Sequence, residues 1–376
     1  MMPPCRQLRI LMTTDTVGGV WVYASTLARG LCRRGLEVSL VTLGPAARSD
    51  QVEVVSGTPG LTLETTDLAL EWIDPEGLDL SRAAERLASI EDRVRPDVVH
   101  LNSYREAMSA WHAPVIVAAH SCVRSWWLAC RGEEPTEPRW FPYMANVHAG
   151  LAAADRWIAP TRSFRDRMTE LYQPERAGLV IRNGLEEHLA PSGKEPFILA
   201  AGRQWDEAKN LSMLADLAPQ LSWPIQTNGA LAVCHDKHRP TGSSPELSRL
   251  ELLETMRRAS ILASPAVYEP FGLTVLEAAA AGCALVLSDI SSFRELWDGA
   301  ALFVAPRDEA GFRTTLARLI RNDALRTDLQ TRAVRRAQRY PLRATVDAHL
   351  ELYHELASAG HAKTSEPHER SAEVLQ

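Results

Sequence analysis

One stretch of the chain predicts a strand, a loop, a helix and a second strand in direct succession. The apolar run Ile261 to Ala263 leads in, Glu269-Pro270-Phe271-Gly272 forms a loop, and an alanine-rich run and Ala284 to Leu287 follow. Proline or glycine just before a helix suits its start, and helices accept glutamate well. Units of this kind build parallel sheets that helices cover, so the stretch favours an α/β fold.

Two glutamates stand on this unit with seven residues between them. Glu269 falls in the loop at the carboxyl end of the first strand, and Glu277 falls on the helix within two turns of its start. The free backbone N–H groups at the helix start, near Gly272 and Leu273, can receive a phosphate. Carboxylates accept hydrogen bonds from hydroxyl groups. The stretch therefore predicts a site for a sugar nucleotide.

The rest of the chain repeats the alternation of short apolar runs and helical patterns. A first unit runs from Leu8 to Leu43 through a loop with Gly18-Gly19, and a second series begins at Phe197 after a linker rich in turn residues. A length of 376 residues exceeds what one ordinary core supports. We expect two domains, a returning helix and a disordered tail, at residues 1–183, 196–340, 341–358 and 359–376.

Composition excludes several classes of protein. The net charge of −6 and the pI near 6.0 argue against nonspecific nucleic-acid binding. The longest apolar run, Ala278 to Leu287, is too short to span a bilayer, and we see no signal peptide, so we expect a cytoplasmic protein. Six scattered cysteines without a Cys-x-x-Cys pair favour free thiols in a reducing compartment.

An arginine-rich segment lies near the end of the chain. From Phe312 to Arg343 there are nine arginines and only two acidic residues. A solvated helix face is the favoured interpretation, and a weak peripheral contact with a membrane surface is the alternative. The sequence carries no information on the oligomeric state.

A loop with two cations follows the first strand of the second series. Arg203 offers a bidentate fork and Lys209 a compact charge, at the strand end where open α/β sheets bind ligands. A departing diphosphate needs such cations or a metal. The alternative is a surface pairing with Asp206 and Glu207. Because no set of His, Cys, Asp and Glu has convincing metal spacing, His235 and its neighbours included, we predict no metal and no cofactor beyond a co-substrate.

Together these motifs resemble a known family. Gly202-Arg203, Lys209-Asn210, Glu269-Pro270-Phe271-Gly272-Leu273 and Glu277-Ala278, in this order, resemble the retaining glycosyltransferases of family 4. Members of that family have the GT-B fold, in which two Rossmann-like domains with parallel sheets face each other across a cleft. The resemblance covers most of the chain.

The resemblance implies a role for each matching residue. Arg203 and Lys209 would hold the donor diphosphate, Glu277 would bind the ribose, and Glu269 would lie by the transferred sugar. The loop residues Phe271, Gly272 and Leu273 would lend backbone N–H groups to the donor. Gly18 and Gly19 would let the first loop approach the donor closely, and His120, which ends a strand, would lie at the reaction centre.

The implied reaction transfers a hexose-type sugar from a UDP- or GDP-sugar with retained anomeric configuration. The acceptor is open: a glycan, a lipid or a small metabolite. Hydrolysis or phosphorolysis of a sugar nucleotide, and non-catalytic binding of one, remain alternatives. A nicotinamide-dependent oxidoreductase is disfavoured because the full Gly-x-Gly-x-x-Gly motif is absent.

The first domain of this fold shapes the acceptor pocket. Trp126 and Trp127 follow His120, with Arg124 beside them and further aromatic and basic residues beyond. Such a lining would suit a sugar or a phosphorylated or carboxylated acceptor, although the same aromatics could simply pack a long loop onto the core. Asp15, beside the first loop, is a further candidate to accept a proton from the acceptor.

Overall fold

The structure is a computed structural model that describes residues 7–186, 192–203, 205–227, 230–232 and 248–364. Two sheets organise the chain, one in each half. Their cores lie on both faces of each sheet, between the strands and the covering helices.

The N-terminal domain is built on a parallel sheet with the order β3-β2-β1-β4-β5-β6-β7. Its strands are β1 (Arg9–Asp15), β2 (Glu37–Leu43), β3 (Leu61–Thr65), β4 (Val98–Leu101), β5 (Val115–Ala118), β6 (Arg156–Ala159) and β7 (Leu179–Val180). Its helices are α1 (Gly19–Arg33), α2 (Ser49–Val55), α3 (Leu80–Val94), α4 (Val123–Arg131), α5 (Trp140–Ala153) and α6 (Arg162–Tyr172). Strands β4 and β5 are fully buried, as continuous apolar strands between two helical layers must be.

The C-terminal domain has the sheet order β10-β9-β8-β11-β12-β13. Its strands are β8 (Glu195–Ala200), β9 (Ile225–Thr227), β10 (Ala230–Ala232), β11 (Ala259–Ser264), β12 (Ala284–Ser288) and β13 (Ala301–Val304). Its helices are α7 (Leu211–Leu217), α8 (Arg249–Arg258), α9 (Leu273–Ala280), α10 (Ser291–Trp297), α11 (Glu309–Arg321) and α12 (Asp323–Ala337). The edge strand β10 pairs antiparallel with β9, because the short connection between them permits a hairpin but no crossover.

The last helix, α13 (Leu342–Thr364), returns to the N-terminal domain. It packs against α1, where a side chain at Gly30 would meet Val346 at 2.6 Å. His349 and Tyr353 of α13 form hydrogen bonds with Tyr23 and His100 of the N-terminal domain, at 2.9 and 2.6 Å respectively. The helix continues past the predicted end at residue 358 as far as Thr364, although the extension contains Gly360, a poor helix former. The rest of the predicted tail, residues 365–376, lies outside the described residues.

The arginine-rich segment of the chain forms α11, α12 and the start of α13. Most of its arginines are exposed, whereas Phe312, Leu316 and Leu319 are buried on the opposite face of α11. This arrangement is the solvated helix face that the sequence favours. Among the helices of the described residues, none has the length and apolar composition needed to cross a membrane.

Candidate active site

The carboxyl ends of both sheets open into one cavity of about 990 Å³. Both domains line it, and it contains nearly all of the residues that the sequence singles out. The predicted residues that line it are Asp15, Gly18, Gly19, His120, Trp126, Trp127, Arg203, Lys209, Glu269, Phe271, Gly272, Leu273 and Glu277. Arg124 is not among the lining residues that the structure describes.

The two predicted cations lie on the C-terminal side of the cavity. Arg203 donates from Nη2 to Asp206 Oδ2 at 2.7 Å, and its guanidinium carbon lies 5.0 Å from the centre of the Trp205 ring. The buried Nε of Arg203 has no hydrogen-bond partner among the described residues. Burial opposes ionisation of Asp206, yet its hydrogen bond and attraction to Arg203 keep its pKa below the ordinary value. Asp206 is therefore a fixed anion that orients the guanidinium.

Lys209 pairs with one of the two key glutamates. Its Nζ donates to Glu269 Oε2 at 2.6 Å, while the other oxygen of Glu269 accepts from the backbone N–H of Gly272 at 3.1 Å. The carboxylate thus connects the cation to the start of α9. The sequence offers Glu207 as a second possible partner for the cations of this loop. In the structure Glu207 pairs instead with Arg131 of the N-terminal domain, at 2.8 Å.

The loop before α9 presents backbone donors. Gly272 has φ +84°, in the left-handed region, and a side chain there would meet Phe293 at 3.0 Å. Leu273 and Thr274 form the first turn of the helix, where N–H groups have no acceptor within the helix. The Phe271 side chain is buried in the core, so only its backbone is available to a ligand.

The second key glutamate is held by a residue that sequence reasoning missed. Glu277 is only 1% exposed, and Arg249 donates from Nη1 to its Oε2 at 2.7 Å and from Nη2 to its Oε1. Arg249 occupies the first turn of α8, next to a capping box formed by Ser248 and Glu251. That Ser-x-x-Glu spacing marks the start of α8 in the sequence and is the signal that could have drawn attention to Arg249.

His120 is fixed by a second missed residue, Asn102. The side chain of Asn102 donates from Nδ2 to Thr13 O at 2.6 Å, which turns its Oδ1 towards His120 Nε2, also at 2.6 Å. Nε2 therefore carries the ring proton, and Nδ1 has no hydrogen-bond partner among the described residues. Burial, together with the neighbouring His349, lowers the pKa of His120 to about 3. His120 is thus a neutral imidazole whose Nδ1 can accept a hydrogen bond.

The first loop meets the cation loop of the other domain. Gly18 has φ +92°, and a side chain there would lie 3.0 Å from Arg203 Nη1. Asp15 Oδ1 accepts from the backbone N–H of Val17 at 2.9 Å. Burial raises the pKa of Asp15 to about 6, although this N–H and the charge of Arg203 partly offset the rise.

Arg124, which the sequence suggests for the acceptor side, does not line the cavity that the described residues form. Arg124 donates to Glu134 at 2.8 Å and to the carbonyl oxygen of Leu171 at 2.5 Å, because it lies on the face of α4 that packs towards α6. Two further arginines of this region are also engaged. Arg131 pairs with Glu207, and Arg139 pairs with Glu137 and lies over Trp140.

The two tryptophans of this region behave differently. Trp126 donates from Nε1 to Asp206 Oδ1 at 3.1 Å, so it contacts the same carboxylate that holds Arg203. Trp127 packs against the N-terminal core and against the ring of Trp140. Each side chain makes packing or hydrogen-bond contacts and also lines the cavity, and a role of either tryptophan in acceptor binding stays a prediction.

Direct contacts connect the two domains around the cavity. The hydroxyl of Tyr268 lies 2.8 Å from Ser125 Oγ, and Thr161 donates to Pro270 O at 2.9 Å. The carboxylate of Glu295 accepts from the backbone N–H groups of Arg162 and Ser163, at the start of α6. These contacts place the loop of Glu269 next to the N-terminal domain.

No group of three or more His, Cys, Asp and Glu side chains is placed to hold a metal ion within the described ranges. His235 and its neighbours, for which the sequence shows no convincing metal spacing, lie outside those ranges.

Comparisons with known proteins agree with this arrangement. A family model described as Glycosyltransferase Family 4 matches residues 17–189, and one described as Glycosyl transferases group 1 matches residues 242–336. The first match covers the N-terminal domain from the loop after β1 onwards, and the second runs from before α8 almost to the end of α12 and includes both key glutamates.

Full-length relatives extend across both domains. Glycogen synthase of Mycobacterium tuberculosis is 29% identical over 87% of this chain and 89% of its own length. The D-inositol 3-phosphate glycosyltransferase of Kineococcus radiotolerans is 25% identical over 90% of this chain and 91% of its own.

Solved structures match the fold at low sequence identity. Sucrose-phosphate synthase from Thermosynechococcus elongatus has a TM-score of 0.76 at 17% identity and covers 94% of this chain and 100% of its own. Anabaena HepE in complex with UDP and glucose has a TM-score of 0.70 at 15% identity, and the match covers 93% of this chain and 100% of HepE. The chain has two α/β domains that face each other across a cleft, and both family models match it. It is therefore a GT-B protein of the group 1 and family 4 glycosyltransferases.

Proposed function

We propose that this protein is a retaining glycosyltransferase that moves a hexose-type sugar from a nucleoside-diphosphate sugar to an acceptor held by the N-terminal domain. One observation carries the proposal. Arg203, Lys209 and the first turn of α9 converge on one side of a cavity that has His120 on its other side. Two cations and free backbone N–H groups are suited to a diphosphate, and the opposite side is left for the sugar and the acceptor.

The donor would bind largely to the C-terminal domain. The unpartnered Nε of Arg203 and the ammonium of Lys209 supply donors to the diphosphate. Glu277, with lone pairs beyond those that Arg249 uses, accepts from the ribose hydroxyls. Glu269 keeps Lys209 in place and accepts from hydroxyls of the transferred sugar.

The reaction breaks the bond between the anomeric carbon and the diphosphate oxygen and forms a bond to the acceptor oxygen on the same face. The departing diphosphate oxygen takes the proton of the acceptor hydroxyl, so the enzyme needs no separate base for this step. Arg203 and Lys209 stabilise the negative charge that develops on the diphosphate. The Nδ1 of His120 accepts from a hydroxyl of the transferred sugar and orients it.

The relatives support a nucleotide-sugar donor. The matched proteins are named as glycosyltransferases or as a glycogen synthase, and one matching fold was solved with UDP and glucose. UDP-glucose is therefore the first donor to test, and GDP-sugars are the second.

Three measurements test the proposal. Calorimetry with a panel of nucleoside diphosphates should show binding of at least one, and binding of none would exclude this donor site. With an α-linked donor, NMR of the product should show an α-linkage; a β-linked product would contradict retention. Consumption of the donor at the same rate with and without acceptors would favour hydrolysis instead.

A further inference from the structure

We propose that the N-terminal end of the cavity binds an uncharged saccharide acceptor, with Glu71 as a ligand for its hydroxyl groups and Trp72 as a surface for its ring. The inference rests on the proposed function, because it names the acceptor of that reaction. It concerns residues that follow β3, in a part of the chain to which the sequence assigned no role.

The first argument is the charge of the cavity. Every Arg and Lys among the described lining residues has a carboxylate partner within ion-pair distance. On the N-terminal side, these cations are Arg29, which lies 3.7 Å from Glu186, and Arg48, which lies 3.0 Å from Asp50. Arg203 differs from these two arginines because it keeps a buried Nε without a partner, whereas neither Arg29 nor Arg48 has such a buried, unpartnered nitrogen among the described residues. A phosphate or carboxylate on the acceptor would therefore have to compete with an existing partner for the positive charge on this side of the cavity.

The second argument is the pair of acids that have no such partner. Among the described residues, neither Asp15 nor Glu71 lies within ion-pair distance of a basic side chain, although both line the cavity. Neither protonation state of these groups offers a positive charge to an anion. Hydroxyl groups, in contrast, can donate to a carboxylate and accept from a carboxylic acid.

Glu71 is held so that one oxygen remains available. Its Oε2 accepts from the backbone N–H groups of Tyr104 and Arg105 at 3.0 and 3.2 Å. Its Oε1 has no hydrogen-bond partner among the described residues. Burial, and the nearby carboxylate of Glu106, raise the pKa of Glu71 above its ordinary value. An anionic acceptor would find no positive charge on Glu71 in either protonation state, whereas an acceptor hydroxyl would complete the hydrogen bonding of Oε1.

Glu71 is also connected to the reaction centre. Tyr104, whose N–H binds Glu71, donates its own hydroxyl to the carbonyl oxygen of Ser121 at 2.9 Å. Ser121 directly follows His120. An acceptor seated on Glu71 would therefore lie at the same end of the sheet as the histidine.

The third argument is the aromatic surface beside this carboxyl group. Trp72 follows Glu71, lines the cavity and is 38% exposed. Trp127 lines the same cavity from the N-terminal domain. An exposed aromatic side chain that lines the same cavity as a hydroxyl ligand suits a sugar ring, which has apolar C–H faces and a polar edge.

The test compares matched acceptors at saturating donor. The probes are methyl glucoside, neutral gluco-oligosaccharides and glucose 6-phosphate, with nucleoside-diphosphate release and product mass as readouts. We expect the neutral sugars to have a kcat/KM at least about tenfold above that of the phosphorylated sugar. Faster transfer to the phosphorylated sugar, or transfer to no neutral sugar by a protein that still binds nucleoside diphosphate, would overturn the proposal.

Two variants locate the site. Glu71→Gln keeps an oxygen for Tyr104 and Arg105, and Trp72→Ala alters a half-exposed side chain, so both should fold. Each should raise the acceptor KM about tenfold and leave the donor KM within about twofold. Glu76→Gln, in the same loop, and Phe141→Ala, which is 53% exposed and does not line the cavity, are the matched controls.

The outcomes separate this inference from the proposed function. An unchanged acceptor KM in both Glu71→Gln and Trp72→Ala would remove the acceptor site and leave the donor site intact. If the unmodified protein binds no nucleoside diphosphate, the proposed function itself is contradicted.

Discussion

Arg249 binds both carboxylate oxygens of Glu277, the side chain that the sequence assigns to the donor ribose. A buried carboxylate held in this way has two interpretations, either a structural ion pair or a carboxylate that Arg249 orients for a ligand. Glu277 lines the cavity, which favours the second interpretation.

The preference for ribose should therefore depend on Glu277. The unmodified protein should bind a ribonucleoside diphosphate more tightly than its 2′,3′-dideoxy analogue by about 1.5–3 kcal/mol, the value of hydrogen bonds to a charged group. Glu277→Gln should lose most of this difference, as calorimetry with both ligands would show. If the ratio of the two affinities stays the same in the variant, the pair is only structural.

Arg203 should account for much of the diphosphate affinity. Arg203→Ala removes the guanidinium that Asp206 orients and should weaken nucleoside-diphosphate binding by about 1.5–3 kcal/mol. Binding of the corresponding nucleoside, which has no phosphate, should change little. Arg294→Ala is the matched control, because Arg294 is an exposed arginine paired with Asp289 outside the cavity. Equal affinities for Arg203→Ala and the control would place the diphosphate elsewhere.

Removal of metal ions should leave turnover unchanged. Arg203 and Lys209 supply fixed positive charge where the diphosphate would depart, which is the role that a divalent ion fills in other enzymes. Initial rates of donor consumption with and without EDTA give the comparison. A rate that falls with EDTA and recovers with Mg²⁺ would show that these two cations are not sufficient.

His120 should act as a neutral group at every pH of practical interest. Since its pKa is lowered to about 3, it does not titrate between pH 5 and 8. His120→Ala should lower kcat about 100-fold, the effect of losing one well-placed hydrogen bond in the transition state. The rate ratio to the unmodified protein should be constant over that range, and His112→Ala, with an exposed side chain, is the control. A ratio that changes near pH 6.5 would show that His120 is protonated in catalysis.

His349 should make the protein less stable in mild acid. It donates from Nδ1 to Thr345 O at 2.7 Å and accepts from the hydroxyl of Tyr23 at 2.9 Å, and burial lowers its pKa to about 4. The unfolded chain, with an ordinary histidine pKa near 6.5, binds the proton first as the pH falls. Stability is therefore present above pH 6.5 and is lost between that pH and about 4.

Urea unfolding at pH 7 and pH 5 measures this loss. One such histidine costs about 2 kcal/mol between these two pH values. His349→Gln should reduce the pH dependence by this amount, even if its stability at pH 7 is lower. His354→Gln, an exposed histidine on the same helix, should keep the full dependence. The same dependence in both variants would contradict a buried, neutral His349.

The sequence by itself determined the features that local spacing encodes. Two motifs lie where the apolar periodicity placed them. They are the strand–loop–helix unit with Glu269 and Glu277 and the cation loop with Arg203 and Lys209. Motifs at the carboxyl ends of parallel strands must meet at one edge of a sheet, so the fold class and the meeting of these motifs at one cavity followed from the order of these elements.

Only the tertiary structure decided which partners these residues have. Arg249 meets Glu277 from a different helix, and Asn102 reaches His120 from the neighbouring strand end. The sequence suggested Arg124 for the cavity because it lies near His120 in the chain, but on helix α4 its side chain binds Glu134 instead. The face on which a helical side chain lies depends on what packs against the helix, and those contacts join residues that are far apart in the chain.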